Sequence, residues 1–176
     1  MEIEKLEIEG VFGIKSSANF DQRGAFLRIW NSKDFDGKFE LSQVSASTNS
    51  KPRTLRGLHF QSAPHEESKI VLCVLGSVFD VVVDLRKESR TFGQYASTKI
   101  GLNENYQGIV VPAGFAHGYL TLEANATLVY FIDRPYVPES FKGIVWNDPK
   151  LQIAWPFEPE IISERDRNLP MLKYYE

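Results

Sequence analysis

A single cysteine among 176 residues leaves no material for an internal disulfide framework. That residue, Cys73, lies in the apolar run Ile70-Val71-Leu72-Cys73-Val74-Leu75 and reads as a small core hydrophobe in a reducing compartment. No apolar run approaches the length of a bilayer span. The opening Met1-Glu2-Ile3-Glu4-Lys5 lacks the apolar stretch and basic flank of a signal peptide, so a cytoplasmic protein with no membrane attachment is expected. Basic excess is missing too. The net charge is −3, which argues against a nucleic-acid partner, whose phosphates call for a basic stripe. A small anionic ligand remains compatible with that charge, since a few local arginines suffice. Glycine-rich phosphate loops, a Gly-x-Ser-x-Gly elbow, internal repeats, linkers and low-complexity stretches are all absent. Helical periodicity is scarce as well.

What is present is one domain over residues 1–176, long enough to bury roughly 70% of its unfolded surface without metal or disulfides. A hydrophobic fraction of 43% and a charged fraction of 24% are ordinary for a globular chain and argue against disorder. Short β-branched and aromatic runs, punctuated by Gly, Pro, Asn and Asp, predict strands over Lys69–Leu75, Val78–Leu85, Ala96–Ile100, Gly108–Val111, Gly118–Leu122 and Thr127–Ile132. Asn31 to Phe39 suits one or two helical turns, and the proline-bearing tail from Trp155 onward suits an irregular path with another turn. The near-regular strand spacing predicts an all-β sandwich or barrel. Within Val78–Leu85, a period of two puts Phe79, Val81, Val83 and Leu85 on a core face. Asp80 and Asp84 share the other face with Val78 and Val82, which suits either solvent or a polar cavity.

Chemistry concentrates in Thr54-Leu55-Arg56-Gly57-Leu58-His59-Phe60-Gln61, with Lys69 ten residues after the histidine. A base and two cations near each other mark a place that handles an anion and a proton. Downstream, Pro112-Ala113-Gly114-Phe115-Ala116-His117-Gly118 has the Pro-x-Gly-x-x-His turn of a metal-binding cupin, and Gly76 is also in place. The cupin ligand set is not: Gln61 stands at the second histidine and Lys69 at the glutamate, and an ammonium repels a divalent cation. The architecture therefore resembles a cupin jelly roll without a metal site. His59, Lys69, the phenols of Tyr130 and Tyr136, and the carboxylates of Asp80, Asp84 and Asp166 suit proton abstraction beside a carbonyl, where an enolate forms and is reprotonated. His65, beside Glu66 and Glu67, reads as solvated loop, and Arg86 as the end of a strand or the partner of a carboxylate.

Taken in order, Asp21-Gln22-Arg23-Gly24-Ala25-Phe26, Arg56–Gln61, Asp80–Arg86, Pro112–Gly118, Tyr136-Val137-Pro138-Glu139, Trp146-Asn147-Asp148-Pro149 and Ser163-Glu164-Arg165-Asp166 resemble the dTDP-4-dehydrorhamnose 3,5-epimerase family from end to end. The resemblance implies a homodimeric, cupin-like β jelly roll that acts without metal or cofactor on a nucleotide-diphosphate 4-keto-6-deoxy sugar. It implies His59 as general base with Asp166 as its orienting carboxylate, Lys69 at the C4 oxygen, and Tyr130 returning a proton on the opposite face. Arg23 and Arg56 would hold the diphosphate, with Phe26, Gln43 and Tyr136 around the nucleoside or sugar. His117, with Asp80 as partner, is either cavity wall or a structural remnant of the cupin turn.

Four positions depart from the family's pattern. Arg28 stands where thymidine-specific members usually carry glutamate, and Ser45 where asparagine is usual. A guanidinium in place of a carboxylate reverses the hydrogen-bond direction offered to a pyrimidine, which opens a cytidine-linked sugar as an alternative. Glu67-Ser68 precedes Lys69 where Gln-Ala is common, and strand pairing decides whether that carboxylate points to the lysine's side. Inversion at C3 or C5 alone, an isomerase or dehydratase acting on a related sugar, and a non-catalytic sugar-nucleotide-binding jelly roll are the competing readings.

Overall fold

The computed structural model describes residues 2–15, 18–35 and 39–175. In chain order the strands are β1 (Ile3–Lys5), β2 (Phe12–Ile14), β3 (Asn19–Asp21), β4 (Gly24–Phe26), β5 (Gln43–Asn49), β6 (Thr54–Gln61) and β7 (Lys69–Leu75). There follow β8 (Ser77–Asp84), β9 (Tyr95–Gly101), β10 (Gly108–Val111), β11 (Phe115–Thr121), β12 (Ala126–Ile132), β13 (Phe141–Gly143) and β14 (Ile161–Ile162). One sheet runs β1-β2-β10-β7-β12-β5 and the other β13-β6-β11-β8-β9, with β14 beside β6. Within them, β5-β12-β7-β10 faces β6-β11-β8-β9, the strand order of a jelly roll. The all-β expectation holds. No helix among the described residues is long and apolar enough to cross a membrane.

Alternation along the strands sorts side chains into three layers. Val71 and Cys73 of β7, Val78 and Val82 of β8, Ile109 of β10 and Leu128 of β12 meet between the sheets. Ile70, Leu72 and Phe131 point out of the first sheet and pack under Trp30 and Phe39. Val81 and Val83 point out of the second, where Ile153, Trp155 and Leu172 of the tail cover them. The tail is docked by a Trp155 indole N–H donating to the Trp146 carbonyl and a Leu172 N–H donating to Asp148. Its path includes β14, the four-residue helix α1 (Glu164–Arg167) and a 3₁₀ turn at Leu172–Tyr174. Near the other end, Ser32–Phe35 is a 3₁₀ turn; residues 36–38 of the expected helical stretch lie outside those described.

Both faces of β8 are buried, which rules out solvent for Asp80 and Asp84: both are fully buried, and neither lines the large cavity. Asp84 lies where the chain turns toward β9. Its carboxylate accepts from the Arg86 guanidinium, Ser89 Oγ and Thr91 Oγ1 at 2.6 to 2.9 Å. Burial pushes this carboxyl up, but those donors outweigh it and bring it from 3.8 to about 2. A depressed folded value stabilises the fold above the unfolded pKa, and that contribution fades as pH falls from 3.8 toward about 2. Asp84→Asn is expected to cost about 2 kcal/mol at neutral pH and to flatten stability across that acid window. Urea melts of both proteins at pH 7 and below 3 check this; equal loss at both pH values would refute it.

Candidate active site

Strand β6 carries two residues of the site three positions apart, which a regular strand would send to opposite faces. Here His117 of β11 pairs with His59 while Tyr119 pairs with Arg56, so β6 holds one extra residue over this stretch. The bulge turns Arg56 and His59 to the same cavity. Gly57 makes the crossing feasible: its φ is +123°, and a Cβ there would lie 2.5 Å from the Cα of Gly118.

The partner of His59 arrives from the tail. Parallel pairing of Ile161 and Ile162 with Thr54 and Leu55 sets α1 against β6. Ser163 caps the helix by accepting the Asp166 N–H at 3.0 Å. Asp166, 4% exposed, then meets His59 Nε2 with Oδ1 at 2.8 Å and the Gly57 N–H with Oδ2 at 3.1 Å. Burial raises the Asp166 carboxyl, but the His59 hydrogen bond and charge, the Gly57 N–H and Arg165 outweigh it and hold it below the usual range. An ionised acceptor on Nε2 selects the Nε2–H tautomer and leaves the Nδ1 lone pair as the base.

The opposite wall is built from β7, β12 and β5. Register aligns Lys69 with Ile132, and Tyr130 with Ser45 and Val71. Gln43, Ser45, Lys69 and Tyr130 thereby line a cavity of about 750 Å³ together with Arg56, His59, His117 and Asp166. Burial pushes the Tyr130 phenol well above its ordinary value, and the neighbouring Tyr119 and Asp80 add to this. It is held as a proton donor. His117 Nε2 lies 2.8 Å from Asp80 Oδ2, and the His117 ring meets Tyr130 edge-on at 6.0 Å. His117 is therefore cavity wall. Burial holds Asp80 above the usual carboxylate range despite the charge and hydrogen bond of His117.

At the mouth, Arg56 Nε donates to Asn49 Oδ1 at 2.9 Å, which fixes its guanidinium. Tyr136 stands edge-on to Phe141, and the Arg165 guanidinium lies 3.7 Å from the Phe141 ring centre. Arg165 and Phe141 both line the cavity, and the residue-by-residue reading of the sequence assigned neither a role. Arg165 was within reach, being the neighbour of Asp166 in the Ser163–Asp166 segment. Glu67 does turn toward the lysine, one of the two orientations open to it in the sequence: its side chain is 9% exposed, and its carboxylate contacts Lys69. His65 beside it is partly buried.

Three expected residues are not brought to this cavity. Arg23, Phe26 and Arg28 are exposed, Arg23 paired with Asp21 on the β3–β4 hairpin and Phe26 77% exposed. Of the two nucleobase departures, Ser45 lines the cavity of its own chain and Arg28 lies outside it. Among the described residues, no group of three His, Cys, Asp or Glu side chains could hold a metal ion.

An imidazole base on one sheet and a protonated phenol on the other, across one cavity, are arranged to move protons on two sides of a bound molecule. The class this defines is a cupin-like jelly-roll isomerase. Residues 5–174 match the family model of dTDP-4-dehydrorhamnose 3,5-epimerase, and the chain belongs to that family. It is 38% identical over 177 residues to the dTDP-4-dehydrorhamnose 3,5-epimerase of Salmonella typhimurium, covering 98% of this chain and 96% of that one. The Legionella pneumophila dTDP-6-deoxy-D-glucose-3,5-epimerase, solved with dTDP-4-keto-L-rhamnose, superposes with a TM-score of 0.91 at 32% identity, covering 99% of this chain and 94% of that one. A 3'-monoepimerase from Streptomyces bikiniensis, solved with dTDP-quinovose, gives 0.87 at 32% identity, covering 97% and 87%.

Proposed function

We propose that this chain epimerises a thymidine-diphosphate 4-keto-6-deoxyhexose, taking dTDP-4-keto-6-deoxy-D-glucose to dTDP-4-keto-L-rhamnose. The observation that carries the reading is the placement of the His59–Asp166 dyad and Tyr130 on opposite sheets across one cavity. His59 Nδ1 takes the proton from the carbon beside the C4 ketone, and the C–H electron pair moves to form the enolate. Lys69 stabilises the oxygen charge by donating to it. Asp166 stabilises the imidazolium that results. Tyr130 then donates its O–H proton to the same carbon from the other side; the imidazolium releases its proton to water and the phenolate takes one back, which restores both groups. Repeating the cycle at the second carbon inverts both centres. Every proton carrier is a side chain of the protein, and no cofactor enters.

Arg56 and Arg165 at the mouth suit the diphosphate, with Gln43, Ser45 and Tyr136 around the sugar and nucleoside. The hairpin of β3 and β4 points to a homodimer. Its Phe20 and Phe26 are 63% and 77% exposed, and β5 ends its sheet with Val44 54% exposed. An open edge and an apolar hairpin are surfaces a second copy would cover. Arg23, Phe26 and Arg28 would reach the nucleotide from that copy. A second reading, inversion at one carbon only, is favoured by the likeness to the 3'-monoepimerase.

Proton NMR in deuterium oxide with dTDP-4-keto-6-deoxyglucose tests the function, and sedimentation of the same sample tests the dimer. Solvent deuterium is expected at both C3 and C5. Exchange at one carbon would select the single-centre reading, and exchange at neither would remove the epimerase reading.

A further inference from the structure

The cavity holds one buried ion that the proton-transfer scheme leaves without a role. Glu67 precedes Lys69 by two residues, its Oε1 lies 2.8 Å from Lys69 Nζ, and both side chains are only 9% exposed. Its second oxygen, Oε2, accepts from Gln61 Nε2 at 2.8 Å. Gln61 is 2% exposed and its amide is locked. Gln61 Oε1 accepts the Val137 N–H at 2.7 Å, while Nε2 also faces the carbonyls of His65 and Pro135 at 3.2 Å. Flipping the amide would set oxygen against three acceptors and nitrogen against a donor. Position 67 thus meets a donor on each side. A carboxylate answers each with a separate oxygen and has no hydrogen of its own to misplace. A glutamine at this position would keep its oxygen for Lys69 and lose only the second contact, where an amide N–H would turn against the Gln61 amide.

We propose that Glu67 is a positioning residue for Lys69, a role that rests on the epimerase reading above. Lysine carries its charge on a flexible four-carbon stem with three rotatable donors. Tying one of them to Glu67 fixes the ammonium at the wall and leaves two donors for the C4 oxygen of the sugar. The clamp continues through Gln61 to Val137, next to Tyr136, so the enolate contact and one side of the cavity mouth share a single hydrogen-bonded support. The enolate oxygen then develops its charge against a donor already in place, with no reorientation during the step.

Two measurements test this, with rates normalised to the number of thymidine diphosphate sites so that unfolded protein drops out. In Glu67→Ala, the exchange rate at saturating sugar nucleotide is expected to fall roughly 10- to 100-fold, as for a misplaced catalytic group. KM should stay within about twofold, since substrate binding uses other groups. Glu67→Gln, which keeps an oxygen for Lys69, should recover most of the rate. Independently of activity, the nitrogen-15 ammonium signal of Lys69 in the ligand-free protein, assigned by its loss in Lys69→Met, should report restricted motion in the wild type and free rotation in Glu67→Ala. Wild-type exchange in Glu67→Ala, or a Lys69 signal equally restricted in it, overturns the proposal. Glu67→Gln as slow as Glu67→Ala also overturns it, because the charge and not the acceptor would then carry the effect. A wild type that exchanges neither proton overturns the epimerase reading instead, and the Lys69 signal then decides the clamp alone.

Discussion

Replacing His59 with alanine is expected to slow solvent deuterium incorporation at both C3 and C5 by about 10³-fold, the range lost with a general base. The outcome is not trivial, because the cavity holds a second imidazole. His117 lies directly across from His59 on the neighbouring strand and has a carboxylate of its own, Asp80. The two pairs differ in what their carboxylates can do. Asp166 is held below the usual range by His59, the Gly57 N–H and Arg165, so it remains an anion ready to face an imidazolium. Asp80 is driven the other way by complete burial, and its His117 ring is only 4% exposed. The His59 side chain is 26% exposed and opens to the cavity. These differences favour the proposed assignment of the base to the His59 pair, with His117 as wall. Proton NMR in deuterium oxide on His59→Ala and His117→Ala, at equal thymidine diphosphate occupancy, decides the matter. Near-native exchange in His59→Ala would transfer the role to His117.

The parts of the chain that spoke clearly in the sequence are those whose two faces are both apolar. Lys69–Leu75 and Gly108–Val111 are strands with the boundaries expected of them, and Val78–Leu85 and Thr127–Ile132 differ from β8 and β12 by a residue at one or both ends. Strand β5 was silent for a physical reason. Gln43, Ser45, Ser47 and Asn49 share the face turned to the polar cavity, while Val44, Ala46 and Thr48 alternate with them and are exposed or nearly so. Neither face shows an apolar stripe, so the period of two that marks a strand is hidden. β11 begins at Phe115 rather than Gly118 because the Pro112–Gly114 turn ends sooner than its small residues suggested. The tail looked irregular but docks through Leu172, Ile162 and Asp166, each less than a tenth exposed.

The site was legible in proportion to how unusual its residues are in context. A histidine and arginine on a strand, and a lysine at a cupin ligand position, declare themselves. Asp166 was named through its motif and the family resemblance, but a carboxylate in a tail of charged residues has no visible route to His59 until β14 pairs with β6. Glu67 was noticed as a carboxylate close to Lys69, but its direction depends on strand pairing, and the Lys69 contact, together with the locked Gln61 amide, shows that it points inward. Arg23, Phe26 and Arg28 fall outside the cavity of their own chain, which no pattern along a single sequence conveys.

Replacing Tyr130 with phenylalanine is expected to separate exchange from inversion. The substitution keeps the ring that packs edge-on against His117 and removes one hydroxyl, so the wall retains its shape. Proton abstraction by His59 does not use that hydroxyl. Deuterium should therefore still enter the first carbon, delivered from the face that lost the proton and restoring the starting configuration. The inverted product requires a donor on the other face, and burial keeps the Tyr130 phenol protonated well above the ordinary range. Other phenols do not replace it readily. Tyr119 is raised by burial too, but its hydroxyl is engaged with Ser47 at 2.8 Å and Asn49 at 3.2 Å, and Tyr136 stands at the mouth beside Phe141. Formation of the 3,5-inverted sugar in Tyr130→Phe should fall by about 10²-fold or more, with first-carbon exchange changed far less. Following both by NMR in one sample gives the ratio directly. A variant in which exchange and inversion fall together would place Tyr130 on the same step as His59, and one that still inverts would hand the proton to ordered water.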